Sequence, residues 1–142
     1  MACERASIRT VPEIHRLIMK LREQGKRIIF ISDMNLPQYF IEGLLKKHGF
    51  AQNNDNIYIS GNVGLTKRSG NLYPYVLEQE NITAKQLMHI GDNFHADIKM
   101  ASRHGIRAEL ISAAHLNFYE QFAIKGQKNS IVSRTVGASR LN

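Results

Sequence analysis

Apolar residues recur along this chain in two alternating patterns: short unbroken runs, and longer stretches with helical spacing. The runs are typical of strands buried on both faces, and the stretches are typical of amphipathic helices. Strands are predicted at residues 28–31, 57–59, 87–90 and 107–111, and helices at 12–24, 36–48, around 72–77, 94–104 and 114–124. Strands that alternate with helices in this way predict a parallel sheet with helices on its faces.

Proline and glycine mark the boundaries of these predicted elements. Pro12 suits the first turn of the first helix, and Gly25 and Gly49 directly follow two helices. Pro74 fits only the first turn of its helix, because a later proline would remove a helical hydrogen bond. Residues 61–70 are predicted to form a loop.

The fold predicted from these elements is α/β, a Rossmann-like three-layer sandwich with a mostly parallel sheet. A length of 142 residues suits one domain with a sizeable core. We expect residues 1–124 to form this core. Residues 125–142, rich in Gly, Ser, Lys and Asn, are predicted to be a basic flexible tail or the start of a truncated segment.

Composition narrows the functional class. The longest apolar runs are far shorter than 18 residues, so no membrane span is expected. The N-terminus lacks the apolar region of a secretory signal, and the lone Cys3 fits a reducing compartment, so a cytoplasmic location is expected. The net charge of +7 is compatible with a nucleic-acid partner. A basic tail and one solvated helix face explain this charge, so we do not expect such a partner.

Chemically useful side chains follow the predicted strands. Ser32 and Asp33 follow the first strand, Lys67 lies in the loop after the second, and Asp92 and Asp97 follow the third. In parallel sheets, ligands bind outside the carboxyl ends of the strands. A hydroxyl with nearby backbone N–H groups can hold a phosphoryl oxygen, a lysine can neutralise its charge, and two carboxylates suit Mg²⁺. The alternative is that these residues are turn, cap and exposed loop residues.

The order of these residues resembles the motifs of the haloacid dehalogenase-like (HAD) hydrolase superfamily. Phe30-Ile31-Ser32 is similar to its second motif, Lys67 to its third, and the segment from Gly91 to Asp97 to its fourth. The resemblance extends over about residues 11–111. A narrower similarity, to predicted HAD hydrolases found near or fused to bacterial glycosyltransferases, is seen in the segments Ile31-Ser32-Asp33-Met34, Thr66-Lys67 and His89-Ile90-Gly91-Asp92.

The resemblance implies an activity and a role for each residue. In this superfamily an aspartate attacks a phosphoryl group, and water hydrolyses the resulting aspartyl-phosphate. By that likeness, the substrate is a small phosphorylated molecule, bound through Ser32, Asp33 and Lys67, of which Ser32 and Lys67 also act in catalysis. Asp92 and Asp97 would be the ligands of a Mg²⁺ cofactor.

The superfamily's first motif, Asp-x-Asp, is missing from its expected place, because no aspartate precedes Asp33. One alternative makes Asp33 itself the nucleophile, with Asn35 in place of the second acid. The preceding long helix and the spacing to Lys67 fit the second motif better. We therefore expect little or no phosphatase activity from this chain alone.

The strand that carries the first motif lies in mid-sheet in this superfamily. Its loss is expected to leave two strand edges unpaired, which favours association between chains. Two explanations stay open: the chain is a segment of a longer hydrolase, or it is a shortened relative that no longer catalyses. The alternative function is a non-catalytic binding or regulatory module that keeps the HAD fold.

Overall fold

The structure is a computed structural model that describes residues 12–111 and 131–135. The helices are α1 Pro12–Glu23, α2 Gln38–Lys47, α3 Ser60–Val63, α4 Leu72–Glu80 and α5 Met100–Arg103. A 3₁₀ turn spans Ala84–Gln86 and a π-helical turn spans Phe94–Lys99. The strands are β1 Arg27–Ser32, β2 Asn56–Ile59, β3 Leu87–Gly91, β4 Arg107–Leu110 and β5 Ile131–Thr135.

The five described strands form one parallel sheet in the order β2–β1–β5–β3–β4. Strand β5 therefore lies in the middle, although it is last in the chain. In its register Thr135 is beside Ile31 of β1, and Arg134 is beside Ile90 of β3. Because all strands run the same way, their carboxyl ends meet at one edge of the sheet, called the carboxyl edge below.

Helices cover both faces of this sheet. Residues of β1 alternate between two buried apolar clusters, since successive side chains of a strand point to opposite faces. Ile28 and Phe30 pack with α1 and α2, whereas Ile29 and Ile31 pack with α4 and α5. The predicted three-layer α/β fold is confirmed.

Most predicted elements occur within a residue or two of their expected bounds, with two local differences. The predicted loop at residues 61–70 begins with the short helix α3, which ends at Gly64 in a left-handed conformation. The predicted helix at 94–104 opens with the π-helical turn before it becomes α-helical. The helix predicted at residues 114–124 lies outside the described residues.

The expected gap in the middle of the sheet is absent from the structure, so this part of the prediction is wrong. Strand β5 pairs with β1 on one side and β3 on the other. Residues 131–135 are thus a strand and not part of a flexible tail, and the two edges expected to drive self-association are paired. The error arose because the short run Ile131-Val132 is followed by polar residues and gives little local signal of a buried strand.

Candidate active site at the carboxyl edge

Two predicted site residues lie where β1 and β3 end. Ser32 is the last residue of β1 and is fully buried. Asp92 follows β3 directly and is half-buried. Strand β5 separates β1 from β3, and adjacent strands are about 4.8 Å apart, so these two strand ends lie roughly 10 Å apart. They are close enough for one small ligand to reach both.

The loops after β1 and β2 are fastened to each other next to Ser32. The Met34 backbone N–H donates to Ser60 Oγ at 3.0 Å, and the Gly61 N–H donates to the Met34 carbonyl at 3.0 Å. A Cβ atom at Gly61 would lie 2.8 Å from that carbonyl oxygen, so glycine is required there. This junction brings the segment that contains Lys67 toward the end of β1.

Asp33 completes the connection between β1 and the Lys67 loop. Its Oδ1 accepts the backbone N–H of Lys67 at 2.8 Å, and its Oδ2 accepts that of Arg68 at 3.1 Å. Two consecutive backbone donors around one carboxylate form an anion-binding nest. Asp33 thus holds the loop in place, while the phosphate-binding role predicted for it stays a prediction.

Lys67 and Asp97 form a buried ion pair at this edge. The Lys67 Nζ lies 2.6 Å from Asp97 Oδ1, and their side chains are only 3% and 0% exposed. The two residues are 30 positions apart in sequence. A charged group is rarely buried unless it is paired and hydrogen-bonded. The structure therefore brings together two of the residues predicted for the site.

His89 is a third member of this buried cluster. Its Nε2 lies 3.1 Å from the same Asp97 Oδ1, and its side chain is fully buried within β3. Burial lowers the pKa of His89, more than its hydrogen bond to Asp97 raises it. The imidazole is therefore neutral, and Nε2 carries the hydrogen, because an ionised carboxylate only accepts.

The surroundings of Asp97 keep it ionised. Burial raises the pKa of Asp97, but the hydrogen bond from His89 and the Lys67 ammonium outweigh burial and hold the pKa well below its usual range. The second oxygen, Oδ2, accepts the Asn93 backbone N–H at 2.9 Å. Asn93 Oδ1 in turn accepts the Ala96 N–H at 2.9 Å and caps the π-helical turn.

Tyr73 of α4 packs against this buried cluster. Its ring packs edge-on against His89 with centroids 5.3 Å apart, and its hydroxyl donates to the Ala96 carbonyl at 2.7 Å. The sequence analysis missed the roles of His89 and Tyr73. The available signal was a histidine within an otherwise apolar, fully buried strand.

The described residues fit a Mg²⁺ site only in part. Both Asp97 oxygens already accept hydrogen bonds, from Lys67 and His89 on one and from Asn93 on the other. Within residues 12–111, no three His, Cys, Asp or Glu side chains are grouped to hold a metal ion. Mg²⁺ is usually bound by one or two carboxylates, several waters and substrate phosphate. Asp92 directly follows β3 at the carboxyl edge, and its role as a metal ligand stays a prediction.

The fold and the edge define the class of protein: an α/β domain with a buried lysine–carboxylate pair beside the ends of parallel strands. The chain matches the family model of haloacid dehalogenase-like hydrolases over residues 3–105. It belongs to this family of hydrolases, which are generally metal-dependent. Among the described helices, none has both the length and the apolar character to cross a bilayer.

Proposed function

We propose that this chain is a phosphatase-type HAD domain that binds the phosphoryl group of a small phosphorylated substrate at the carboxyl edge. The observation that carries the proposal is the Lys67–Asp97 pair at 2.6 Å, fixed beside the strand ends. Transfer of a phosphoryl group depends on positioning and on neutralising its negative charge. A lysine held by a buried carboxylate supplies a positive charge at a fixed place.

Ser32 and Lys67 have different proposed roles at this edge. In this proposal the Ser32 hydroxyl, at the end of β1, holds a phosphoryl oxygen, and Lys67 neutralises its charge. Asp33 contributes by keeping the Lys67 loop against β1 through two backbone hydrogen bonds.

Mg²⁺ belongs to the proposal because the family is generally metal-dependent. Asp92 is the proposed ligand at the edge. The described residues do not complete the coordination, and Asp97 serves Lys67 and His89 instead. Mg²⁺, when bound, would supply positive charge next to the phosphoryl oxygens.

We propose that this chain by itself does not turn over a phosphoester, because the nucleophile is missing. The central strand of the sheet is β5, whose residues Ile131–Thr135 contain no carboxylate. Its end lies between the ends of β1 and β3, where an attacking aspartate would be needed. No aspartate precedes Asp33 in the sequence either.

A second candidate function is a non-catalytic module that binds a phosphorylated ligand without hydrolysing it. The observation that favours it is the same central strand without a carboxylate. Both candidates predict phosphate binding at the edge, and they differ only in whether hydrolysis occurs when an upstream Asp-x-Asp segment is supplied. For both candidate functions we propose a cytoplasmic location, in keeping with the single cysteine, Cys3.

The first experiment is calorimetric titration of the chain with inorganic phosphate, with and without Mg²⁺. We expect binding that Lys67→Met abolishes. Lys46→Met is the matched control, because Lys46 belongs to an exposed ion pair with Glu42 on α2. Absence of binding to the unaltered chain, or equal loss in both variants, contradicts the proposal.

The second experiment is a hydrolysis assay with p-nitrophenyl phosphate and Mg²⁺. It compares the chain as it is with a form extended upstream by an Asp-x-Asp strand and lacking residues 131–142, so that the added strand can pair with β1 and β3. We expect turnover only by the extended form, and its loss in Asp92→Asn. Binding without turnover by the extended form favours the non-catalytic module. Turnover by the unextended chain that Asp92→Asn abolishes excludes that module.

A further inference from the structure

We propose that His89 is a positioning residue of the phosphate site, which fixes Asp97 and through Asp97 holds the Lys67 ammonium in place. This inference rests on the proposed function, since it concerns the same lysine. It assigns a role to a side chain that lies two residues before the fourth-motif segment, Gly91 to Asp97. Three donors share the buried Asp97 carboxylate: Lys67 Nζ, His89 Nε2 and the Asn93 backbone N–H.

The first step is the geometry at Asp97 Oδ1. This one oxygen accepts from both Lys67 Nζ at 2.6 Å and His89 Nε2 at 3.1 Å. Lys67 extends from a loop on a long flexible side chain, whereas His89 is part of β3, in the interior of the sheet. The sheet therefore fixes the position of His89, whereas the position of the Lys67 ammonium depends on the Asp97 carboxylate.

The second step is the support of the imidazole ring itself. Tyr73 packs edge-on against it at a centroid separation of 5.3 Å. The Tyr73 hydroxyl also binds the carbonyl of Ala96, the residue before Asp97. One fully buried aromatic side chain thus restrains both partners of the His89–Asp97 hydrogen bond.

The third step is charge. A buried ion pair is stable only when further hydrogen bonds satisfy the remaining lone pairs of its carboxylate. The His89 imidazole supplies such a bond at Asp97 Oδ1. An apolar residue in place of His89 would leave Asp97 without this donor, so the carboxylate and the lysine that it holds would shift together.

The experiment compares two variants in calorimetric titrations of the full chain with inorganic phosphate. His89→Leu removes the donor, and we expect phosphate affinity to fall about tenfold or more, as for loss of a hydrogen bond to a charged group. His89→Gln keeps a side-chain N–H donor, and we expect its affinity to return to within about threefold of the unaltered chain. If His89 had only a structural role, His89→Gln would not restore the phosphate affinity.

Glu80→Gln is the control for the general cost of disturbing a buried polar group. Glu80 is buried at the opposite end of the sheet, where it accepts from Asn56 at 2.7 Å and Tyr58 at 2.6 Å and pairs with Arg27 at 2.9 Å. We expect this variant to lower the thermal unfolding midpoint and to leave phosphate affinity unchanged. The midpoint is measured for all three variants.

The possible failures are distinguishable. If the unaltered chain does not bind phosphate, the proposed function is wrong, and the role of His89 is wrong with it. If the unaltered chain binds phosphate and folded His89→Leu binds it equally well, only the positioning role is overturned. Loss of affinity in His89→Gln equal to that in His89→Leu, with both variants folded, also overturns it.

Discussion

Gly91 and Asp97 lie so close together that no side chain fits on Gly91. A Cβ atom built there would overlap the Cβ, Cγ and Oδ2 atoms of Asp97, well inside van der Waals contact. Gly91 has no left-handed backbone conformation, so the requirement for glycine is steric. The Asp97 side chain therefore requires glycine at the last position of β3, six residues earlier in the chain.

Gly91→Ala is expected to destabilise the fold by about 1–3 kcal/mol, the usual cost of overpacking a filled interior. The control is Gly43→Ala in α2, where a Cβ atom meets nothing within 4 Å. Alanine is favoured over glycine inside a helix by roughly 0.5–1 kcal/mol, so the control should be more stable than the unaltered chain. Urea unfolding of both variants checks this, and equal effects would contradict it.

Removing one partner of the buried ion pair is expected to be costly. Lys67→Met should destabilise the fold by about 3–5 kcal/mol, because Asp97 would keep its buried charge without the lysine. Lys46→Met should change stability by less than about 0.5 kcal/mol. The two lysines lie at the same 2.6 Å from their carboxylates, but the second pair is 37% and 38% exposed.

A double variant tests whether the buried pair acts as a unit. Lys67→Met combined with Asp97→Asn should be less destabilised than the sum of the two single variants, because no unpaired buried charge remains. Free energies of unfolding from denaturant titrations provide the comparison. Strict additivity would show that the two side chains do not interact.

Asp33 is expected to protect two particular backbone amides from hydrogen exchange. Asp33→Ala removes the acceptor of the Lys67 and Arg68 N–H groups, so both should exchange faster, by about tenfold or more. Asp33→Asn keeps one acceptor oxygen and should protect one amide of the two. The amide of Ile82, which donates to Leu77 in a different loop, is the internal reference. Unchanged exchange at Lys67 and Arg68 would contradict this role.

Two tyrosines are expected to resist ionisation at alkaline pH. Burial, followed by the hydrogen bond to Glu80, raises the pKa of Tyr58 above its usual range. Burial, followed by the charge of Asp97, raises the pKa of Tyr73 in the same direction. A raised pKa favours the neutral phenol in the folded state, so the stability gained is complete below about pH 10 and is lost as the pH rises further.

A spectrophotometric titration tests this expectation. At about pH 11, at least two of the five tyrosines should remain protonated in the folded chain and ionise only when denaturant is added. Tyr73→Phe should remove one of these delayed ionisations. Complete ionisation at that pH with far-UV circular dichroism unchanged would contradict the prediction.

Strand β5 is expected to protect the sheet from association between chains. Deleting residues 131–142 removes the strand that pairs with both β1 and β3. The two exposed strand edges should then promote self-association, since unpaired edges are templates for pairing. Size-exclusion chromatography at several concentrations checks this, and a monomeric deletion variant would contradict it.

The sequence by itself determined the helices and strands and the edge of the sheet at which the candidate site lies. Local spacing of apolar residues fixes helices and strands, and a run such as Ile28–Ile31 already requires a sheet covered on both faces. Because parallel strands have their carboxyl ends at one edge, Ser32 and Asp92 could be placed there without coordinates.

Tertiary structure alone decided which side chains meet and what fills the centre of the sheet. Asp97 pairs with Lys67, 30 positions away, and with His89, and the spacing along the chain predicted neither contact. Strand β5 enters between β1 and β3 from the far end of the chain. Neither fact has a local signature, because ion pairing and strand pairing depend on distances in space, which residue spacing along the chain does not specify.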